Sequence, residues 1–417
     1  MEATRIRLAE GVHLTYLPAR KFKTSLLSAQ FVTPLRRETA GANALLAAVL
    51  RRGTVSCPDM GALSAKMDNL YDASIDYTVR KKGENQCVGF VASFIDDRYA
   101  PGGERLLEPA AALLGELICD PVTYHGRFVP EYFESEKTNL LEAIRSLIND
   151  KRDWADSRLL RALCDGEAYA VPRLGDEETV DKLQALKVYT QYRDLISTAP
   201  LEIIYSGSAE LERVKQALAA AFATLPREEV RVISTAAPHV CRESVQHVED
   251  VLDVTQGKLG MGFSCGSDDM PALLMGNTLF GGSSNSKLFL NVREKLSLCY
   301  YASSLYHRQK GLITVSSGIE FQNYQRAYDE IMAQLEAVQK GELEDWELEG
   351  ARSTLLNNYA TVGDSQGKLE NFYLGQAATG QHETPADLAR AIQDMTAERI
   401  CRAMSTVKLD TVYFLKG

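Results

Sequence analysis

The sequence predicts an α+β fold built from two similar halves, each with a mixed or antiparallel sheet and helices on one face of it. The chain of 417 residues is longer than one ordinary core, since domains average about 150 residues. Its hydrophobic fraction of 45% and charged fraction of 24% are typical of globular proteins. An order of strand, helix, strands, helices and strand occurs twice along the chain, which favours two sheets over one.

The first half begins with strands. Alternating residues around Gly11 predict a hairpin over 5–18, with a strand over 25–32 as its neighbour. Apolar residues at helical spacing predict a helix over 41–52 that ends at Gly53. The remaining predicted elements are helices at 60–70, 103–118, 130–149, 152–163, 178–194 and 209–222, and strands at 74–80, 86–94 and 201–205.

The periodicity lapses after residue 224, where Pro226 and Pro238 stand among polar residues. This predicts a linker over 225–245 between an N-terminal half, 1–224, and a C-terminal half, 246–417. In the second half the predicted strands are 245–254, 257–264, 299–306, 311–318 and 411–415. The predicted helices are 268–279, 285–296, 323–339, 342–360, 363–378 and 394–404.

Composition and charge exclude several functions. The net charge is -10 and no cluster of Lys and Arg with interleaved aromatic residues occurs, which argues against nucleic acid or an anionic membrane as a partner. The beginning of the sequence has no signal-peptide pattern, and apolar runs such as 44–50 are too short to span a bilayer. The eight cysteines form no C-x-x-C pair, which is typical of reduced thiols. We therefore expect a cytoplasmic protein.

The predicted helix over 41–52 carries three alanines, Ala44, Ala47 and Ala48, on the side away from its apolar stripe. The stretch 41–54, ending in Gly-Thr, resembles the signature helix of the insulinase/pitrilysin family of zinc peptidases, which carries H-x-x-E-H in active members. There the two histidines bind zinc and the glutamate activates water. The resemblance places these roles on Ala44, Ala48 and Ala47, respectively, and an alanine has no lone pair for a metal.

The third ligand of the family is a glutamate on a later helix, in a pattern like E-[KR]-x-x-x-L-x-E-I. Residues 136–144 resemble that pattern, with Ala143 at the ligand position. Glu142 lies one residue away, rotated by about 100° on a helix, and is predicted to be a solvated carboxylate. The six histidines are isolated along the sequence. The sequence thus predicts neither a bound metal nor another cofactor.

The second half retains a pair of polar residues, Arg293 and Tyr300, after a turn that contains Gly281 and Gly282. Without further context, such residues are more commonly a surface ion pair and a packing residue. The segment 279–300 resembles the C-terminal segment of the family, where an Arg and a Tyr seven residues apart hold the substrate backbone. The resemblance implies that Arg293 and Tyr300 stabilise charge on the attacked carbonyl.

The resemblance covers most of the chain and implies two halves arranged as a clamshell. It further implies a non-catalytic subunit that pairs with a zinc-bearing H-x-x-E-H homologue and acts on a peptide or small protein. Within the family the chain is similar to the bacterial group associated with 5-aminopentanol modification of elongation factor P. Two alternatives stay open: a peptide-binding or structural protein without a catalytic partner, and an enzyme with other metal ligands.

Overall fold

The computed structural model describes residues 3–233 and 239–417. The predicted linker over 225–245 therefore falls partly outside the described residues, at 234–238. The described strands are β1 Thr4–Ala9, β2 Val12–Pro18, β3 Thr24–Pro34, β4 Ser74–Lys82, β5 Asn85–Ile95, β6 Thr123–Tyr124, β7 Arg127–Phe128, β8 Leu201–Gly207, β9 Gln246–Val251, β10 Gly257–Cys265, β11 Cys299–His307, β12 Leu312–Ile319 and β13 Val407–Lys416.

The helices of the described residues alternate with these strands. They are α1 Arg37–Leu50, α2 Met60–Asp68, α3 Leu107–Cys119, α4 Pro130–Ser146, α5 Lys151–Leu163, α6 Glu177–Asp181, α7 Ala185–Thr198, α8 Leu211–Ala221, α9 Met270–Phe280, α10 Tyr324–Lys340, α11 Asp345–Val362, α12 Gln366–Thr379, α13 Pro385–Gln393 and α14 Ala397–Met404. A π-helical turn spans Leu288–Lys295. None of the described helices has both the length and the apolar character needed to cross a bilayer.

The chain forms two compact units, and each unit draws one segment from the other half of the sequence. Unit 1 contains the described residues 3–145, 171–233 and 363–382, and unit 2 contains 146–170, 239–362 and 383–417. The units therefore differ from two contiguous halves. Helix α5 of the first half belongs to unit 2, whereas helix α12 of the second half belongs to unit 1.

Unit 1 has a six-stranded mixed sheet in the order β1-β2-β8-β3-β5-β4. The hairpin of β1 and β2 is confirmed, and Gly11 adopts φ +59 in its turn. The prediction that the next strand lies beside this hairpin was wrong. Strand β8 lies between β2 and β3, parallel to β2 and antiparallel to β3. Local patterns do not reveal such an insertion, because β8 follows β3 by more than 160 residues.

The two faces of this sheet differ in polarity. Alternate residues of β3, such as Leu27, Ala29 and Phe31, belong to an apolar core that includes residues of α1, α3, α7 and α8. The residues between them point to the opposite face, where Ser28 donates a hydrogen bond to Glu370 of α12. Helix α12 thus covers a polar face of the sheet.

Unit 2 has a five-stranded sheet in the order β11-β12-β10-β13-β9, antiparallel except for the pairing of β13 with β9. Residues of α9, α10, α11 and α14 form an apolar core with one face of this sheet. Helix α5 contacts β10 and β13. A Cβ atom on Gly262 would lie 2.8 Å from the side chain of Leu163, so the glycine allows α5 to approach closely.

The α+β fold class is confirmed, and three element predictions need correction. The predicted helix over 178–194 is two helices, α6 and α7, with buried Leu183 between them. The predicted helix over 285–296 is the π-helical turn. Helix α13 was not predicted, although Pro385 at its first position and the capping box of Thr384 with Asp387 are good start signals.

Candidate functional site

A groove of about 620 Å³ in unit 1 lies between α1, α4 and the edge strand β4. Helix α1 contributes Ala44 and Ala48, one turn apart. The face of α4 that lines the groove repeats at helical spacing through Glu136, Asn139, Leu140 and Ala143. The structure therefore brings Ala44, Ala48 and Ala143, which are far apart in sequence, into the lining of one groove.

The fourth predicted position, Ala47, does not line this groove. Its side chain is fully buried in the apolar core of unit 1, at 0% exposure. Glu142 is exposed and is also absent from the lining, in agreement with its rotation away from Ala143. That these four alanines replace metal-site residues stays a prediction from the resemblance.

Among the described residues, the lining of the groove contains one carboxylate, and both of its oxygens accept hydrogen bonds. Glu136 accepts a hydrogen bond from Arg52 at 2.9 Å and one from Asn139 at 3.2 Å. Burial raises the pKa of the nearby Tyr77 hydroxyl, and the charge of Glu136 raises it further. The lining of the groove, as far as the described residues form it, contains no histidine or cysteine. This donor set does not fit the three protein ligands of a catalytic zinc site.

Arginines cap the outer edge of β4. Arg51 Nε donates to the carbonyl of Ile75 at 2.5 Å, and Arg173 Nη1 donates to the carbonyl of Val79 at 3.1 Å. Because backbone groups alternate in direction along an antiparallel strand, the amide and carbonyl of Tyr77 point toward the same outer edge. Edge strands with charged neighbours are protected against unwanted pairing with other chains.

Arg80 links the groove to helix α12. Its two terminal nitrogens donate to the two oxygens of Glu370, both at 2.6 Å, and Ser28 donates to the same carboxylate at 2.7 Å. Burial lowers the pKa of Arg80, but the hydrogen bonds and charge of Glu370 outweigh it, so the net shift is upward. Arg80 therefore stays protonated, and the carboxylate of Glu370 balances its positive charge.

In unit 2, Arg293 and Tyr300 are both exposed. The side chain of Arg293 is 41% exposed and lies over the ring of Phe289, with 4.7 Å from its guanidinium carbon to the ring centre. Its charge also offsets part of the rise that burial causes in the pKa of Cys299, so the guanidinium lies near the start of β11. Tyr300 follows Cys299 directly and is 63% exposed.

The local backbone turns Tyr300 out of the sheet. Ser297, between the π-helical turn and β11, adopts φ +51. The register of β11 against β12 shifts between Cys299 and Tyr301, so Tyr300 is the additional residue of a β-bulge. Strand β11 is also an edge of its sheet. Bulges at sheet edges commonly redirect a side chain at functional sites.

One group of potential metal ligands occurs among residues 3–233 and 239–417, and the sequence did not predict it. Cys164, Glu167 and His239 of unit 2 each place a ligand atom within 4.8 Å of the others. However, His239 contacts Glu167 at 2.5 Å through Nδ1 and Asp410 at 3.2 Å through Nε2, and buried Lys310 pairs with Glu167. We interpret the group as a charge network, because an ammonium group beside Glu167 opposes a second cation.

Sequence reasoning missed all three charged residues of the groove, Arg80, Glu136 and Arg173. Glu136 occurs in the pattern that led to Ala143, and its distance of seven residues, or two helical turns, could have placed it on the same face. No local pattern indicates Arg173, because the fold brings the segment after α5 to the edge of β4.

Fold and groove together define a two-unit α+β protein whose groove is lined by three alanines and, among the described residues, by no histidine or cysteine. The model of the peptidase M16 inactive domain matches residues 182–355. A relative from Bacillus subtilis (strain 168), named probable inactive metalloprotease YmfF, is 34% identical over 414 residues, which cover 98% of this chain and 96% of the relative. Another relative from that strain, uncharacterized zinc protease YmxG, is 20% identical over 75% of this chain and 76% of its own.

Solved structures agree with the fold. A conserved protein from Enterococcus faecalis V583 is 26% identical with a TM-score of 0.89, and the match covers 100% of this chain and 99% of that protein. A protease from Helicobacter pylori has a TM-score of 0.83 at 13% identity over the full length of both chains, which shows the fold alone. The chain belongs to the M16, or insulinase-type, peptidase family and is an inactive peptidase homologue within it.

Proposed function

We propose that the chain is a non-catalytic subunit of a heteromeric M16 metallopeptidase, and that Arg293 and Tyr300 bind peptide at the zinc site of an active partner. The observation that carries the proposal is an asymmetry between the units. The groove of unit 1 has alanine at three positions to which the resemblance assigns zinc ligands, whereas unit 2 presents an arginine and a tyrosine to solvent. A guanidinium and a phenol are the donors that a developing oxyanion needs.

Packing contacts do not explain why these two positions carry an arginine and a tyrosine. Arg293 contacts Phe289 and its neighbour Glu294, the latter at 3.5 Å, and an exposed Lys would also provide both contacts. Tyr300 leaves most of its ring in water, although tyrosines usually bury most of the ring. Exposure on a bulged edge strand supports a role in binding another molecule.

A second candidate is a peptide-binding or structural protein that works without a catalytic partner. The groove beside β4 favours its peptide-binding form, because an extended peptide can pair with a sheet edge while side chains enter a neighbouring pocket. Such binding needs no metal. The two candidates differ in what Arg293 and Tyr300 do, since only the first places them at a partner's zinc.

Reconstitution tests the proposal. The chain would be purified alone, together with an H-x-x-E-H homologue of similar length from the neighbouring open reading frame, and that homologue alone. We expect a stable complex in size-exclusion chromatography and cleavage of a fluorogenic peptide library by the complex only. A homologue that cleaves equally well without this chain would overturn the proposal. The link to elongation factor P and the cytoplasmic location stay predictions, since no residue described above bears on them.

A further inference from the structure

We infer that the groove beside β4 recognises a carboxylate of the bound peptide, either an acidic side chain or the C-terminal carboxylate, through Arg173. The inference rests on the second candidate function, peptide binding in this groove, and names the chemistry that the groove selects. It concerns unit 1 and is independent of Arg293 and Tyr300.

The charges of the groove leave one cation without a counterion. The charged residues of its lining are Arg80, Glu136 and Arg173. Arg80 is neutralised by Glu370, and Glu136 by Arg52. Arg173 forms no ion pair with any residue in the described part of the chain. The groove therefore carries one net positive charge, on a chain whose overall charge is -10.

Arg173 is held in place while most of its donors stay available. One of its five N–H groups donates to the carbonyl of Val79. The backbone of the same residue is fixed as well, because Gln86 donates to the carbonyl of Arg173 at 2.6 Å and to that of Ala40 on α1 at 3.0 Å. A guanidinium that is fixed in this way can accept a carboxylate in bidentate fashion with little loss of side-chain entropy.

The hydrogen bonds already made at the edge of β4 explain why Arg173 would contact one end of a bound peptide segment. The carbonyls of Ile75 and Val79 are already occupied by Arg51 and Arg173. An added strand can therefore pair with Tyr77, but two residues further along it meets the Arg173 guanidinium, which offers hydrogen-bond donors where a strand edge would continue. A carboxylate at that point satisfies these donors, whereas a Lys or Arg side chain is repelled.

Selection from random peptides tests the inference on the full-length chain. Immobilised protein would be incubated with two random octapeptide libraries, one with free C-terminal carboxylates and one with C-terminal amides, and bound peptides identified by mass spectrometry. We expect acidic peptides, or free-acid over amidated peptides, to be enriched by roughly tenfold, as charge-assisted bidentate bonds allow. Enrichment of Asp and Glu within the amidated library assigns the carboxylate to a side chain. Enrichment of free acids alone assigns it to the chain end.

Substitution of the arginine gives the decisive comparison. Arg173→Gln should abolish the preference for carboxylates while neutral peptides are still retained. Arg20→Gln is the matched control, because Arg20 is an exposed arginine of unit 1 that pairs with Glu210 at 3.3 Å, away from the groove, and the charge change is the same. Thermal melting curves of both variants should superimpose on that of the parent chain.

The outcomes separate this inference from the proposed function. Peptides bound above a blank resin without any preference for carboxylates overturn the role of Arg173 and leave peptide binding intact. The same conclusion follows if Arg173→Gln keeps the preference. If neither library binds above the blank, the peptide-binding function of this groove fails, and the inference fails with it.

Discussion

The groove of unit 1 and the exposed pair of unit 2, Arg293 and Tyr300, differ in how far packing constrains their side chains. At the groove, Ala44 and Ala48 are buried small residues that α1 accommodates without strain, so a metal site can disappear and leave the helix packed. At the pair, Arg293 and Tyr300 contribute little burial, so packing does not maintain them. The comparison teaches that packing constrains the alanines of the groove, whereas it does not constrain the exposed pair.

Helices α5 and α12, each of which belongs to the unit built mainly from the other half of the sequence, show a related difference. Helix α5 packs on the sheet of unit 2 through apolar contacts, such as Leu159 with Tyr413 and Leu415, and Leu163 with Gly262. Helix α12 lies on the sheet of unit 1 through polar contacts, chiefly Glu370 with Arg80 and Ser28. One wall of the groove is therefore held by a half-buried ion pair, whose strength depends on both partners.

The largest expected effect is the installation of a metal site in the groove. The triple substitution Ala44→His, Ala48→His and Ala143→Glu places three zinc ligands in one lining. We expect metal analysis after dialysis to rise from essentially none in the parent chain to roughly one zinc per chain. The variant with Ala143→Gln in place of Ala143→Glu should hold zinc more weakly, because a neutral amide is a poorer ligand than a carboxylate.

Zinc in the parent chain at about one per molecule would break this comparison. Glu167→Gln would then show whether the metal sits in the group of Cys164, Glu167 and His239, which is the competing location in the described residues. Retention of the zinc after that substitution would indicate that the metal binds in the groove instead.

The next effect sharpens the role of the exposed pair. Arg293→Ala and Tyr300→Phe should each lower the turnover of the reconstituted complex by about 10²–10³, the usual cost of removing one donor to an oxyanion. Lys295→Ala is the control, since Lys295 is exposed on the same π-helical turn. Assembly, followed by size-exclusion chromatography, should be unchanged. Unchanged turnover with both substitutions together would reduce Arg293 and Tyr300 to surface residues and favour the independent binding protein.

Local patterns predicted most elements, and the family pattern predicted three alanines of the candidate groove but none of its charged residues. The helical spacing of apolar residues located α1 well, and the family pattern selected Ala143, which does lie with Ala44 and Ala48. The position of β8 between β2 and β3, and the exchange of α5 and α12, depend on contacts between segments more than 90 residues apart. Hydrophobic periodicity carries no information about such partners.

The burial of Ala47 and the position of Arg173 beside β4 both depend on other elements of the fold, which hydrophobic periodicity does not reveal. The stripe of Ala42, Leu45, Leu46, Val49 and Leu50 predicted one apolar face of α1, yet residues 40–50 are buried on all sides because other elements cover the helix. Periodicity therefore separates a core face from a solvent face. It does not separate a core face from a face that lines a groove.

A smaller effect concerns the ion pair that supports the groove. Glu370→Ala leaves the guanidinium of Arg80 without its counterion, and we expect the free energy of unfolding to fall by about 3 kcal/mol. Asp364→Ala is the matched control, because its pair with Lys21 is exposed and should contribute little to the free energy of unfolding. Urea unfolding measures both. A loss for Glu370→Ala no larger than that for Asp364→Ala would mean that α12 does not depend on this pair.

The smallest expected effect lies in unit 2, at the charge network around Asp410. Burial raises the pKa of this carboxyl, but hydrogen bonds from Arg242, Thr411 and His239 outweigh it, and the net pKa is lowered. A carboxyl with a lowered folded-state pKa stabilises the fold above its unfolded pKa of about 3.9, and that stability is lost as the pH falls through the folded value.

Asp410→Asn should therefore reduce the free energy of unfolding by about 1–3 kcal/mol at pH 7. The difference from the parent chain should shrink below about pH 4, where the parent carboxyl begins to bind protons in the unfolded state. Urea midpoints at pH 7, 5 and 3 measure this, with Asp394→Asn as an exposed control in the same unit. A difference that is constant from pH 7 to pH 3 would show that shape and hydrogen bonding, rather than the charge of Asp410, hold Arg242 and His239 in place.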